Sequence, residues 1–232
     1  FPDLFLRYTS VIEIKSIISR NTPYVGMYGF FNGPEVNRIL FSFHQMNKLL
    51  GYVKTESEIL KIAKNNITIS VNDKNLIKKI VPNIYIAIVI GGEWRYKTYQ
   101  KWIDLIEKIF KHNEDVKIVL IGSKNGKTES NKIVNLLSKY NLVNLVSKLS
   151  FNQTAEVIRK SDLLICCDGG LMHAGFALKA KAIVLLARLT PKMLLTNDTS
   201  DYLFDEYDVN NIEVEAIFLK YIETFNFDHS HL

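Results

Sequence analysis

The clearest pattern in the chain is a series of apolar runs separated by segments with helical spacing. Leu163-Leu164-Ile165-Cys166-Cys167 shows no polar alternation. It predicts a strand buried on both faces, as in a parallel sheet. Ile84 to Ile90, Val116 to Ile121 and Ala182 to Leu186 read the same way, with a shorter strand over Leu142 to Val146. Helices are predicted between and after them, over Lys97 to Lys111, Glu129 to Tyr140, Asn152 to Lys160, from Leu171 onward, and over Ile212 to Phe225. The alternation predicts an α/β fold with a doubly wound parallel sheet. Right-handed crossovers would gather the loops that follow the strands on one rim.

Upstream the pattern is less regular. Val11 to Arg20 has helical spacing, and Tyr24 to Gly29 reads as a short strand before the Asn32-Gly33-Pro34 turn. Phe41 to Leu50 reads as a helix closed by Gly51, with His44 a packing or surface histidine on it. Ile67 to Val71 is a strand candidate, and Asn72 or Asp73 would cap a helix reaching Ile80. Val81-Pro82-Asn83 breaks the pattern, and the domain boundary is expected there, dividing residues 1–80 from 81–232.

The candidate chemistry lies in the loops. Gly91-Gly92-Glu93-Trp94-Arg95-Tyr96-Lys97 follows the first of these strands, Gly122 to Glu129 the second, and Ser147-Lys148-Leu149-Ser150 the short one. Asp168-Gly169-Gly170 follows the central strand and Arg188-Leu189-Thr190-Pro191 the next. Asp168 is an isolated carboxylate after five apolar residues and needs a partner. Two glycines between strand and helix let a ligand approach the backbone, and a helix N-terminus there would offer unpaired N–H groups to a phosphate. Taken alone, Asp-Gly-Gly is equally a plain turn. Five such loops on one rim favour a nucleotide site.

Composition narrows the classes. With 47% hydrophobic and 23% charged residues among 232, the chain is an ordinary globular protein. No apolar run approaches the roughly 18 residues of a membrane span, and no secretory signal is visible. The net charge of +5 comes from dispersed lysines. It suits either a solvated surface or anionic partners such as nucleotide phosphates or acidic headgroups. No aromatic-interleaved basic tract or zinc spacing points to nucleic acid. Cys166 and Cys167 read as core thiols rather than a disulfide. Trp94 and Trp102 read as packing residues. The chain opens on Phe1 rather than Met, so a segment upstream is expected.

Asp168-Gly-Gly-Leu-Met-His173-Ala-Gly-Phe-Ala-Leu178 resembles the Asp-(Ser/Thr)-Gly-x-x-His-x-x-x-Ala motif of glycosyltransferase family 9, the heptosyltransferases of the lipopolysaccharide inner core. Ile84 to Trp102, Val116 to Glu129, Leu149 to Asp162, Thr190-Pro191 and His44 to Gly51 resemble further family segments in order and spacing. The resemblance implies a GT-B fold of two Rossmann-like domains, with 1–80 a partial acceptor-side domain and 81–232 the nucleotide-sugar-binding domain. It implies an inverting transfer of a heptose-like sugar from an ADP-heptose-type donor to a lipid-linked saccharide acceptor. The setting would be cytoplasmic, at the inner face of the cytoplasmic membrane with peripheral association. No carboxylate cluster with metal spacing stands beside Asp168 in the sequence, and no obligatory metal or cofactor is expected.

Residue roles follow from the same resemblance. Lys97, Asp168 and His173 would be catalytic. Lys97 would contact the donor phosphates and offset charge on the leaving diphosphate. Glu129 would accept hydrogen bonds from the ribose, and Leu149 would pack on the adenine. Gly169 and Gly170 would offer backbone N–H groups to the phosphates, while Asp168 and His173 hold the loop and face the donor sugar or its phosphate. Gly92, Leu171 and Thr190 would complete the donor site.

Each role has a structural alternative. Lys97 could be a solvated lysine, His173 a packing histidine, Glu129 a helix-start carboxylate facing the dipole, and Leu149 a core residue.

The chain also departs from the family. Gly169 stands where Ser or Thr is usual, and Gly92-Glu93 where small hydroxyl residues are common. Arg188 and Leu189 are unusual before Thr190. The Glu93 carboxylate would repel a diphosphate unless Arg95 neutralises it. The family's N-terminal Gly-Asp loop, which carries the catalytic base, and its basic motif are not found in residues 1–80. Two alternatives to the transferase stand beside it: a non-catalytic nucleotide-sugar-binding relative, and another Rossmann-type enzyme such as a nucleotide-sugar epimerase. The absence of Gly-x-Gly-x-x-Gly after a first strand argues against a dinucleotide oxidoreductase.

Overall fold

The structure is a computed structural model of the 232-residue chain. It describes residues 50–62, 66–195 and 200–229, with Asn37, Leu40 and Asn47 as isolated positions. The helix expected over Val11 to Arg20, the strand at Tyr24 to Gly29, most of the Phe41 to Leu50 helix and His44 lie outside the described residues.

Two compact units divide the chain: Phe1–Lys64 with Lys192–Leu194, and Asn65–Pro191 with Leu195–Leu232. In the first, helix α1 (Glu56–Ile62) starts on a reciprocal cap. The backbone N–H of Thr55 donates to Glu58 Oε2 at 2.8 Å, and the N–H of Glu58 donates to Thr55 Oγ1 at 3.3 Å.

The second unit holds the whole sheet. Its helices are α2 (Val71–Ile80), α3 (Trp102–His112), α4 (Lys127–Leu136), α5 (Phe151–Lys160), α6 (Gly170–Ala177) and α8 (Val214–His229). The short α7 (Pro191–Leu194) spans the division. The strands are β1 (Ile86–Val89), β2 (Ile118–Ile121), β3 (Leu142–Asn144), β4 (Leu163–Cys167), β5 (Ala182–Ala187) and β6 (Ser200–Asp205). They form one parallel sheet in the order β3-β2-β1-β4-β5-β6.

Strand order reverses between β1 and β4, where their following loops diverge and open a crevice, the usual ligand position in such sheets. The apolar runs become strands because both faces are covered. Ile86, Ile88, Ile165 and Ile183 pack with Trp102, Ile106, Ile109, Ile133 and Ile217 of α3, α4 and α8. Alternate positions face α5 and α6; a Cβ on Gly175 would stand 2.8 Å from Leu164 Cδ2.

Several local expectations are corrected. Residues 66–70 form no strand, and the cap of α2 is Ser70, whose Oγ accepts from the Asp73 N–H at 3.1 Å. Helix α2 lies in the second unit, with Ile77 fully buried and Asp73 Oδ1 accepting from Gln153 Nε2 of α5 at 3.1 Å. The two compact units divide after Lys64. Helix α3 starts at Trp102, not Lys97, which sits in a separate 3-10 turn, Arg95–Lys97. The hydropathy pattern marks neither strand β6 nor helix α7. No helix among the described residues is long and apolar enough to cross a membrane.

Candidate functional site: the crevice between β1 and β4

The loops after β1 and β2 pack backbone against backbone. Gly91 has φ +92°, and a Cβ there would come within 2.7 Å of Gly126 Cα. Gly122, at φ +151°, and Gly126 both press on the Ile90 carbonyl. Only glycine permits this approach at these dihedrals. Asn125 completes the link, donating from Nδ2 to the Gly92 carbonyl at 2.7 Å and accepting from Ser123 Oγ at 2.6 Å.

The β4 side is built differently. Asp168 follows the last strand residue, Gly169 is fully extended at φ 170°, and Gly170 opens α6 without any side-chain cap. A Cβ on either glycine would meet nothing within 4 Å. The first turn of an eight-residue helix therefore opens onto free space with its N–H groups available, at the positive end of the dipole.

Lys97 joins the two sides. Its Nζ donates to Asp168 Oδ2 at 3.1 Å, with side chains 19% and 9% exposed. The carboxylate expected to need a partner has one, from the neighbouring strand's loop 71 residues away.

A cleft of about 380 Å³ lies over this junction. Gly91, Gly92, Glu93, Lys97, Ser123, Asn125, Asp168, Gly169 and Gly170 supply its polar wall, and Ile90, Leu149, Phe151, Leu171 and Met172 its apolar one. Gly92, Lys97, Leu149, Asp168, Gly169, Gly170 and Leu171 are thus brought together. Three other residues singled out in the sequence are not in this lining. His173 stands one turn into α6, edge-on to Phe176 with ring centroids 6.0 Å apart. Its Nδ1 is buried and has no hydrogen-bond partner among the described residues. Burial holds the His173 pKa below the usual histidine range, opposed by the Asp168 charge and reinforced by Lys97. Glu129 is half-buried in the first turn of α4, and Thr190 sits just before α7.

Cys166 and Cys167 are buried free thiols. Burial raises both pKa values, that of Cys167 to about 12, so neither is a nucleophile near neutrality. Trp102 is buried, as expected of a packing residue, but Trp94 is 43% exposed. Phe151, Met172 and Thr154 were not singled out. Phe151 had a readable signal, an aromatic directly after the Ser150 cap, but only the fold places it over the cleft.

A glycine-built cleft at the switch point of a parallel sheet, with a lysine-carboxylate pair and an open helix N-terminus, defines a Rossmann-like domain of the GT-B type. The chain belongs to glycosyltransferase family 9 (heptosyltransferase), whose model matches residues 31–200. No curated protein matches the sequence. A family 9 glycosyltransferase from Veillonella parvula shares the fold with a TM-score of 0.64 at 15% identity, over 79% of this chain and 58% of its own. E. coli ADP-heptose lipopolysaccharide heptosyltransferase II follows at 0.60 and 15%, over 71% and 54%. E. coli heptosyltransferase WaaC, solved with ADP-2-deoxy-2-fluoro heptose, reaches 0.54 and 16%, over 78% and 53%. The chain spans between 53% and 58% of the length of these three proteins.

Proposed function

We propose that this chain contributes the donor side of an inverting glycosyltransferase that moves a heptose-like sugar from an ADP-heptose-type donor to a lipid-linked saccharide of the lipopolysaccharide core. The observation that carries the reading is the open space over Gly169 and Gly170 beside the Lys97–Asp168 pair. A diphosphate seated there would accept from the α6 N–H groups and from Lys97. The nucleoside would extend along Leu149 and Phe151. Family membership and the heptose analogue bound to WaaC support the ADP-sugar class.

The chemistry needs a leaving group stabilised as it departs. The transition state is oxocarbenium-like, and negative charge grows on the diphosphate. Lys97 and the α6 dipole act where that charge develops, and one preorganised donor of this kind is typically worth about 3 kcal/mol of barrier. Asp168 keeps the Lys97 ammonium aimed into the cleft. A neutral His173 behind Asp168 would act as a packing and hydrogen-bonding group, not as a cation. The work would be done on the cytoplasmic face of the membrane, with the protein peripheral to it.

Calorimetric titration of the chain with ADP, ADP-glucose, UDP-glucose and GDP-mannose tests the reading. Binding of the two adenine nucleotides with at least tenfold preference is expected. Absence of binding by any of the four to folded protein would overturn it.

A further inference from the structure

Arg188 is held in an uncommon way. It is the centre of a three-residue turn closed by the Leu189 N–H donating to the Ala187 carbonyl at 2.8 Å, with φ at +66°. A non-glycine residue in that region is strained, and a turn of this hand is rare. The strain is held from two sides. The guanidinium lies over the Tyr96 ring at 3.9 Å, and Nε donates to the Tyr207 carbonyl at 3.2 Å. The terminal Nη groups meet no acceptor, and no carboxylate comes within 4 Å of them among the described residues.

The position borders the cleft without lining it. Tyr96 directly precedes Lys97 in the chain. Strand β5, which ends one residue before Arg188, lies beside β4, where the Asp168 N–H donates to the Leu185 carbonyl at 3.3 Å. A planar cation whose face and Nε are already engaged has one fork left, shaped for two parallel bonds to an oxyanion. The exposed Trp94 indole, two residues before Tyr96, offers an apolar surface of the kind that sugar rings lie on.

We infer that Arg188, braced on Tyr96, binds an oxyanion of one of the transfer substrates just outside the cleft. The inference rests on the transferase reading only in assuming that a saccharide is presented there. The oxyanion is either a carboxylate of an acidic sugar on the acceptor or a phosphate of the donor.

The test follows the backbone amide resonances of Ala187 to Thr190 while the protein is titrated with glucuronate, glucose, inorganic pyrophosphate and ADP. Glucuronate or pyrophosphate is expected to shift them, and glucose not. A stronger response to glucuronate assigns the acceptor as the source, and a stronger response to pyrophosphate or ADP the donor. Arg188→Lys and Arg188→Gly are expected to weaken the response at least tenfold. Arg188→Gly should also melt within a few degrees of the parent, because relief of the strain at φ +66° offsets the lost Tyr96 and Tyr207 contacts. A purely structural arginine would instead lower the melting temperature on that change and leave anion binding intact. The inference is overturned if no oxyanion moves these resonances, or if Arg188→Gly responds like the parent. Calorimetry with ADP on the same samples is independent: a protein that binds ADP while Arg188 ignores oxyanions keeps the transferase reading and loses this one, and the converse result does the opposite.

Discussion

The Lys97 ammonium stands 3.1 Å from the Asp168 carboxylate across the one place where strand order reverses. Neither residue's own element explains the contact. It exists because β1 and β4, though far apart in sequence, pair directly, with Ile86 opposite Leu163 and Ile88 opposite Ile165. The pair links the glycine-built loop to the helix N-terminus, so it should be felt in both binding and turnover.

Replacing Lys97 with Ala is expected to lower turnover of the complete enzyme by more than tenfold. Removal of a donor to the leaving group costs about 3 kcal/mol of barrier at full effect. Asp168→Asn should also slow the reaction, and the double variant should lose less than the sum of the two, since residues in contact couple by roughly 0.5–3 kcal/mol. Steady-state kinetics on the four proteins decide this; strict additivity would show that the pair does not work as a unit.

Two glycines should separate in their response to substitution. Gly169 is extended and faces open space, so Gly169→Ser should change stability by no more than about 0.5 kcal/mol. It also restores the hydroxyl usual at this position in the family, and tighter ADP binding is expected. Gly122→Ala should destabilise by about 1–3 kcal/mol or more, because φ +151° is strained for alanine and its Cβ would strike the Ile90 carbonyl. Denaturant melts of both variants check the contrast. Equal losses would mean that the loop relaxes.

His173 should make the fold acid-sensitive. Its pKa is held below the ordinary 6.5 by burial, so the unfolded chain takes up the proton first as pH falls. The native state then binds fewer protons, and its stability falls with pH below about 6.5. His173→Gln should flatten that part of the profile. Thermal melts between pH 7.5 and 5 would show it, and an unchanged slope in the variant would assign the sensitivity elsewhere.

The cysteine pair should report unfolding. Both thiols are buried with raised pKa values, so Ellman's reagent at pH 8 should modify neither in the native protein. Both should react once denaturant exposes them. Rapid modification of the native protein would contradict the buried placement in β4.

Much of this is legible in the sequence. The runs of β4, β5 and β2 are apolar at every position, and such runs are stable only as strands covered on both faces. Asp168 and the glycine pair could be singled out because a carboxylate at the end of such a run needs an explanation. Strand β6 was not legible: Ser200 and Asp201 are polar, and Tyr202 and Phe204 stay exposed at the sheet edge, so no covered-strand pattern marks it. The start of α3 was misplaced because Lys97 to Lys111 has continuous helical spacing, while the chain needs a 3-10 turn and an extended Thr98 to bring Lys97 to the sheet edge. Trp94 was expected to pack, since nothing local marks an indole as exposed.

Sequence alone determined the strand runs β1 to β5 with the helices between them, the parallel character of the sheet and the position of the Asp-Gly-Gly turn. These depend on side-chain period and backbone freedom over a few residues, and both are local. The strand order, the pairing of Lys97 with Asp168, the exclusion of Glu129 and Thr190 from the cleft lining and the bracing of Arg188 on Tyr96 were decided by tertiary structure. Each requires two segments far apart in the chain to meet, and only packing of the sheet and its helices selects which ones do.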